Sequence, residues 1–116
     1  MQRGHGDRGG LLVGGVPFSV KFMDQVFEGG DECDGLCHGA REEIEISARL
    51  PAHRQLRTLF HEVIHAALFV SGQAENLSEN QEEAIVLSLE YMLWGIVEFR
   101  PEILETLGWE PELESE

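Results

Sequence analysis

The glycines of this 116-residue chain divide it into two parts that favour different secondary structures. Ten of the 13 glycines lie at or before Gly39. Because glycine serves turns and weakens helix interiors, this part favours short strands joined by turns. The residues after Gly39 repeat apolar side chains at three- and four-residue spacing, which is typical of amphipathic helices. Since the length suits one hydrophobic core, we expect a single α+β domain.

Alternation of apolar and polar side chains predicts the strands. In residues 16–23, Phe18, Val20 and Phe22 alternate with polar or small residues, as in a half-buried strand. Two further short strands are expected at residues 25–27 and 42–47. We therefore expect a small, mainly antiparallel three-stranded sheet.

Two long helices are expected after the sheet. Pro51 suits the first turn of a helix, and the apolar repeat that follows it ends at Gly72, so the first helix is predicted at residues 51–71. Ser78 is a good N-cap for a second helix that ends before Pro101. The sheet is expected to pack on the first helix, which the second helix crosses.

The ends of the chain are expected to lie outside the folded domain. Residues 1–15 are rich in glycine and predict a flexible tail, and residues 109–116 predict an acidic tail. The domain itself is expected to span residues 16–108.

The first predicted helix carries His61-Glu62-Val63-Ile64-His65. A spacing of four residues places His61 and His65 on one helix face, so that both imidazoles can reach one zinc ion. Glu62 is then placed to accept a proton from a zinc-bound water, which the metal makes acidic enough to supply hydroxide near neutral pH. This pattern predicts hydrolysis of a carbonyl compound such as a peptide.

A catalytic zinc ion usually has a third protein ligand. Every other histidine and every aspartate lies upstream of the motif, so glutamates near the start of the second helix are the downstream candidates: Glu79, Glu82 and Glu83. Glu82 falls nearest the centre of the apolar stripe formed by Ile85, Leu89 and Ile96, whereas Glu83 lies one turn before Val86 and Leu87 at its edge. Periodicity alone favours Glu82, and all three also suit a helix N-terminus without any metal.

Other side chains are candidates by residue type. An oxyanion donor could be Tyr91, His38, His53 or Arg100, although Tyr91 lies on the side of the second helix opposite its apolar stripe. The segment Cys33 to His38 offers at most three ligands for a second metal ion. A buried thiol at Cys37 is the alternative.

Charge and cysteine content restrict the partners and the compartment. The 22 acidic and 8 basic residues give a net charge of −14, which disfavours nucleic-acid binding and could attract basic substrates. No apolar stretch is long enough to cross a membrane. Two cysteines cannot build the disulfide framework of a small secreted domain, so a cytoplasmic protein is expected.

Together these features resemble the gluzincin metallopeptidases, in particular the minimal ones, and the phage and mobile-element proteins of the ImmA/IrrE-like group. The resemblance covers roughly residues 34–104 and is carried by Gly35-Leu36-Cys37-His38, Glu43-Ile44-Glu45-Ile46, Thr58-Leu59-Phe60-His61-Glu62-Val63-Ile64-His65-Ala66, Glu82-Glu83-Ala84-Ile85-Val86 and Pro101-Glu102. It implies a zincin-like peptidase core, acting in a cytoplasm that is the host's if the protein is phage-encoded. The chain departs from larger members of the group, because its sequence shows no DNA-binding helix-turn-helix and no sensor domain, so their regulatory roles are not expected here.

The resemblance also bears on the third ligand. In similar proteins this ligand is a glutamate three residues before an apolar helix position, which Glu83 meets relative to Val86 and Glu82 meets relative to Ile85. Similar proteins tend to carry Asn-Pro where this chain has Arg100-Pro101, and this anchor favours Glu83, with Glu82 as the alternative.

The expected function is therefore that of a zinc-dependent metallopeptidase with Glu62 as general base. An extended peptide or protein substrate is expected to add to the edge of the strand at residues 43–47. One alternative is a zinc-binding interaction or regulatory module of the same fold with little or no hydrolysis. Another is a helical packing protein without metal.

Overall fold

The computed structural model describes residues 6–107 of the chain. This part forms six strands: β1 (Gly6–Val13), β2 (Val16–Met23), β3 (Val26–Glu28), β4 (Asp31–Cys33), β5 (Gly35–His38) and β6 (Glu43–Ser47). The helices are α1 (Ala52–Val70), α2 (Glu79–Phe99) and α3 (Ile103–Leu107), with a short 3-10 turn at Gln73–Asn76 between α1 and α2. The expectation of an α+β arrangement with two long helices is met.

The expected three-stranded, mainly antiparallel sheet is wrong. Four strands form one mixed sheet in the order β1-β2-β6-β5, in which β2 and β6 run parallel and the other two pairs antiparallel. Strand β3, which begins one residue after the expected strand at 25–27, pairs with β4 in a separate two-stranded sheet. After this hairpin the chain re-enters the four-stranded sheet as its edge strand β5, and β6 then inserts between β5 and β2, antiparallel to β5 and parallel to β2.

Strand β1 occupies part of the region that the sequence analysis assigns to a flexible tail. It pairs antiparallel with β2, with an irregularity in register between Asp7 and Gly10. Val13 is buried and Leu11 packs against the core, so apolar burial adds to the hydrogen bonds of the strand pair. The expected acidic tail at residues 109–116 lies outside the described residues.

The core lies between the four-stranded sheet and α1. As the alternation predicts, Phe18, Val20 and Phe22 of β2 are all buried, and so are Ile44 and Ile46 of β6. Helix α1 closes this layer with three buried side chains, Leu56, Leu59 and Ala66. Burial of this apolar surface fixes the face that α1 turns towards the sheet.

Local signals set the ends of both long helices close to where the sequence predicts them. Helix α1 follows Pro51 and ends at Ser71, where Gly72 takes a left-handed conformation with φ of 82°. Ser78 caps α2: its Oγ accepts from the Gln81 amide at 3.1 Å, and the Gln81 side chain accepts from the Ser78 amide at 2.9 Å. The short connection allows α2 to fold back along α1.

Helix α2 packs on the body of the protein through a narrow stripe. The buried side chains are Val86, Glu90, Trp94 and Val97. The apolar stripe that the sequence analysis used to rank Glu82 above Glu83 is not this buried stripe, because Ile85, Leu89 and Ile96 are 36%, 46% and 51% exposed. Between residues 6 and 107, no helix is both long enough and apolar enough to span a membrane.

Gly35 allows β5 and α1 to come close together. A Cβ atom at this position would lie 2.6 Å from Cγ2 of Thr58 and 3.3 Å from Cγ of Glu62. Both neighbours belong to α1, so any side chain on residue 35 would push the strand away from the helix that carries the histidine motif. The absence of a side chain at Gly35 therefore sets the distance between β5 and Glu62.

We predict that Gly35→Ala lowers the free energy of unfolding by about 1–3 kcal/mol, because the added methyl group has no space. Thr58→Ser removes the nearest atom, so the Gly35→Ala/Thr58→Ser double variant should recover part of the loss. Chemical denaturation measures both values. Gly95→Ala is the matched control: its Cβ meets nothing within 4 Å, and alanine in a helix interior should stabilise the protein. Equal stability of the Gly35→Ala variant and the parent would contradict the close approach.

Candidate metal centre

Helix α1 presents the two histidines of the motif side by side at the α2 interface. The ring centroids of His61 and His65 are 5.0 Å apart, with an angle of 59° between the ring planes. Both side chains are about one-fifth exposed, so they remain accessible from solvent. This is the arrangement that a four-residue spacing on a helix produces.

Glu83 of α2 faces the Nε2 atoms of both imidazoles. Its Oε1 lies 3.1 Å from Nε2 of His65, and its Oε2 lies 3.4 Å from Nε2 of His61. One ligand atom from each of these three residues lies within 4.8 Å of the other two. Glu83, the first-ranked third ligand, thus meets the two histidines on the side where a shared ion would be held.

The Nδ1 atoms of the same imidazoles contact two other carboxylates. Nδ1 of His65 donates to Oε2 of Glu82 at 2.6 Å, and Nδ1 of His61 donates to Oε1 of Glu90 at 2.9 Å. Glu82, the alternative third ligand, thus contacts Nδ1 of His65, whereas Glu83 contacts Nε2 of the same ring. Carboxylates that hold Nδ1–H fix the ring orientation and leave Nε2 free to ligate.

The donor set fits a divalent cation. A carboxylate oxygen only accepts hydrogen bonds, and Nε2 of a neutral imidazole protonated on Nδ1 also only accepts. The contacts of Glu83 with both Nε2 atoms are therefore favourable only when a proton or a metal ion lies between them. Two histidines and one carboxylate are a typical ligand set for catalytic zinc, with a further position left open.

Glu90 is held by a second contact on α1. Its carboxylate accepts a short hydrogen bond from Nε of Arg57, four residues before His61 on the same helix. Burial raises the pKa of Glu90, but the hydrogen bonds from His61 and Arg57 outweigh it, so the pKa is lowered below its ordinary value. Glu90 is consequently an anion that can accept from both side chains at once.

Glu62, which follows His61 in α1 and lines the same cleft as both histidines, is only 7% exposed. Burial raises its pKa to about 7, although the neighbouring His61 and His65 oppose this rise. A carboxyl group of this kind takes up and releases a proton near neutral pH, as a general base must. The tight contact of its Cγ with Gly35 limits the positions that the side chain can adopt.

These groups line an open cleft of about 890 Å³. Seven of the residues that line the cleft are acidic. Two arginines also line it, and each of them is paired with one of these acidic residues. Arg54 contacts Asp34 at 2.5 Å, and Arg57 contacts Glu90. The cleft therefore presents excess negative charge, to which Glu28 and Glu79 contribute.

The expected oxyanion donors do not line this cleft. Tyr91 is 72% exposed on α2, and Arg100 pairs with Glu102 beyond the helix end. His53 is exposed near the start of α1, and His38 lies 3.5 Å from Glu45 on the sheet. Arg57, Thr58 and Asn80 line the cleft and are donors of a suitable type.

The segment Cys33 to His38 does not gather its three candidate ligands. Among the described residues, His38 groups with Glu43 and Glu45 instead, and Cys33 donates to the carbonyl oxygen of Gly35 at 3.4 Å. Burial raises the pKa of Cys37 to about 12, so its thiol stays protonated at neutral pH. Cys37 is only partly buried and packs against the apolar core, so a protonated thiol in a packing role describes it better than a metal ligand does.

Glu90 and Arg57 were not among the residues predicted from the sequence. Spacing could have identified both, because Glu90 follows Glu83 by seven residues, two turns along the same face, and Arg57 precedes His61 by one turn. The signal was hidden because many other glutamates in the chain have helical spacings of this kind.

No family model, no curated protein and no solved structure matches this chain. The resemblance to gluzincins therefore stays a prediction from the residues, and zinc as the cofactor stays a prediction with it. The geometry of the site is the basis for a functional proposal.

We predict a graded loss of zinc affinity in three variants that each remove one negative charge. Glu83→Gln should lose most, because it replaces a ligand, and Glu90→Gln should lose about 10- to 100-fold, because it only frees the His61 ring. Glu79→Gln is the control, since Glu79 lines the same cleft without a described contact to either imidazole. Titration against a competing chelator measures all three. Equal affinities for Glu79→Gln and Glu83→Gln would contradict the ligand assignment.

Proposed function

We propose that this protein is a zinc-dependent metallopeptidase that hydrolyses peptide bonds. One observation carries the proposal: two imidazole Nε2 atoms and the Glu83 carboxylate converge beside the buried carboxylate of Glu62, inside a cleft open to solvent. Structural zinc has no use for a free carboxylate at that place, whereas hydrolysis needs a base there.

In this proposal the residues of the chain divide the work of hydrolysis. His61, His65 and Glu83 hold the ion, and Glu82 and Glu90 keep the two imidazoles in the orientation that this requires. Zinc, when bound, supplies Lewis-acid chemistry that polarises a carbonyl group and makes water nucleophilic near neutral pH. Glu62 takes the proton from the attacking water and passes it to the departing amine.

The substrate is proposed to bind along β5. The strand that the sequence analysis favoured for edge addition, β6, lies between β2 and β5 and has no free edge. Within the described residues, β5 is paired only with β6, and its Gly35 lines the cleft next to Glu62. An extended peptide that adds to β5 would therefore pass close to the base.

The charge of the cleft supports a preference for basic peptide or protein substrates and disfavours direct binding of nucleic acid. The two cysteines of the protein, Cys33 and Cys37, are free thiols, which suits the reducing conditions of a cytoplasm. For a phage-encoded protein this would be the cytoplasm of the host.

We predict that Glu62→Gln abolishes hydrolysis but keeps zinc. Loss of the general base should lower the rate by about 10²–10⁴-fold, while zinc affinity stays within a few-fold of the parent because Glu62 is not a ligand. Cleavage of unfolded casein and of a library of lysine- and arginine-containing peptides, with chelator and with zinc restored, measures the activity. Glu79→Gln is the control, since Glu79 lines the cleft but is not among the charged groups that shift the pKa of Glu62.

Full activity of Glu62→Gln would rule out the proposed mechanism. A parent protein that binds zinc but cleaves none of these substrates would favour the alternative, a zinc-binding interaction or regulatory module. If the protein binds no zinc at all, the result would support the other alternative, a helical packing protein without metal.

A further inference from the structure

Helix α2 carries a row of apolar side chains that face away from the rest of the part of the chain that the structure describes. The row is formed by Ile85, Leu89, Met92, Ile96 and Phe99, whose exposed fractions run from 36% to 79%. At 100° per residue its centre lies roughly 130° around the helix from the buried stripe of α2. The row is therefore a second apolar face and not the edge of the core.

The spacing of this row is that of a coiled coil. Its members follow one another at intervals of four, three, four and three residues, which is the heptad seam of two packed helices. Ser88 and Gly95 flank the row and are small enough to allow a second helix to approach closely. A helix with a heptad seam facing solvent is unusual in a folded chain, since apolar patches of this size mark interaction sites.

The distribution of charge on α2 indicates which kind of partner could cover this row. Between Ala84 and Val97 the only charged residue is Glu90, which is buried on the other side of the helix. Two copies of a chain with a net charge of −14 can approach only through an uncharged face of this kind. Helix α2 contains no lysine or arginine, so the basic flanks that hold an amphipathic helix on an anionic membrane are missing.

The area also suits self-association. With Leu93, itself 41% exposed, beside it, the row is an apolar face along about four turns of α2, and two such faces would bury on the order of 1,000 Å² in total, which is the lower limit of specific interfaces. A two-fold pair needs one self-complementary surface, and homodimers of this symmetry are the commonest oligomers.

We propose that two copies of this chain form a homodimer by packing their α2 helices antiparallel through this row. In this register Leu89 of one copy meets Met92 of the other, and Ile85 meets Ile96. The antiparallel direction keeps the acidic first turns of the two helices, with Glu79 and Glu82, at opposite ends of the pair. The zinc-site face of α2 points to α1, so the dimer leaves the cleft open and does not depend on the proposed function.

Sedimentation velocity of the full chain from about 1 to 200 µM tests the dimer. We expect the parent to shift towards the mass of two chains as concentration rises, and Met92→Glu to raise the dissociation constant at least tenfold. Leu87→Glu is the matched control: Leu87 is 50% exposed on the same helix but lies about 160° around it from the row. Thermal unfolding followed by circular dichroism establishes that both variants are folded.

A parent that remains monomeric at the highest concentration would overturn the proposal, and so would equal weakening by the two substitutions. A monomer that instead co-sediments with lipid vesicles would assign the row to a membrane surface and would equally overturn it.

Spin labels at position 100 test the direction of packing, in a background with Cys33→Ser and Cys37→Ala. In an antiparallel pair the two labels lie about 30 Å apart along the helix axis. Parallel helices would bring them to less than about 20 Å, which would contradict the antiparallel arrangement.

Discussion

The two imidazoles of the motif are each held between carboxylates of the facing helix. Glu82 and Glu90 accept from the Nδ1 atoms, and Glu83 meets both Nε2 atoms. His61 precedes His65 on α1, whereas its partner Glu90 follows Glu82 on α2. The contacts therefore exist only while α1 and α2 lie antiparallel and in one register. The packing of α2 on α1 through Val86, Trp94 and Val97 thus decides whether the histidines form a site at all.

The sheet sets the other boundary of the site. Burial of β2 and β6 fixes α1 on the sheet, and Gly35 then brings β5 against the turn of α1 that carries Glu62. This contact buries a carboxylate whose charged form is disfavoured by loss of water, so its pKa rises to about 7. The same close approach places a strand edge beside the proposed base, which connects a packing constraint with substrate binding.

Local patterns allowed part of this structure to be predicted. The alternation in β2 and β6 and the end signals at Pro51, Gly72 and Ser78 depend on near neighbours, and the structure confirms them. Strand order depends on contacts between distant residues, so neither the pairing of β1 nor the parallel pair was accessible to period-two arguments. The spacing of four residues predicted that the histidines share one face, whereas the spacing of seven between Glu83 and Glu90 did not stand out among the many glutamates of the chain.

The packing face of α2 shows where a sequence argument of this kind fails. Apolar periodicity identifies the most hydrophobic face of a helix, and the usual assumption is that this face is buried within the chain. Here the buried stripe contains Glu90, which the site needs, while the more apolar row through Leu89 and Ile96 faces solvent. A helix that carries a polar site on one face and a second interface on another has two functional faces. The apolar periodicity of its sequence identifies only one of these faces.

A crystal structure of the zinc-loaded protein, with anomalous scattering measured at the zinc edge, tests the central claim most directly. The account predicts one ion at about 2.0–2.2 Å from Nε2 of His61, Nε2 of His65 and a carboxylate oxygen of Glu83, with Glu82 and Glu90 still on the Nδ1 atoms. An ion held by Glu82 in place of Glu83, or no ion between the two histidines, would contradict it.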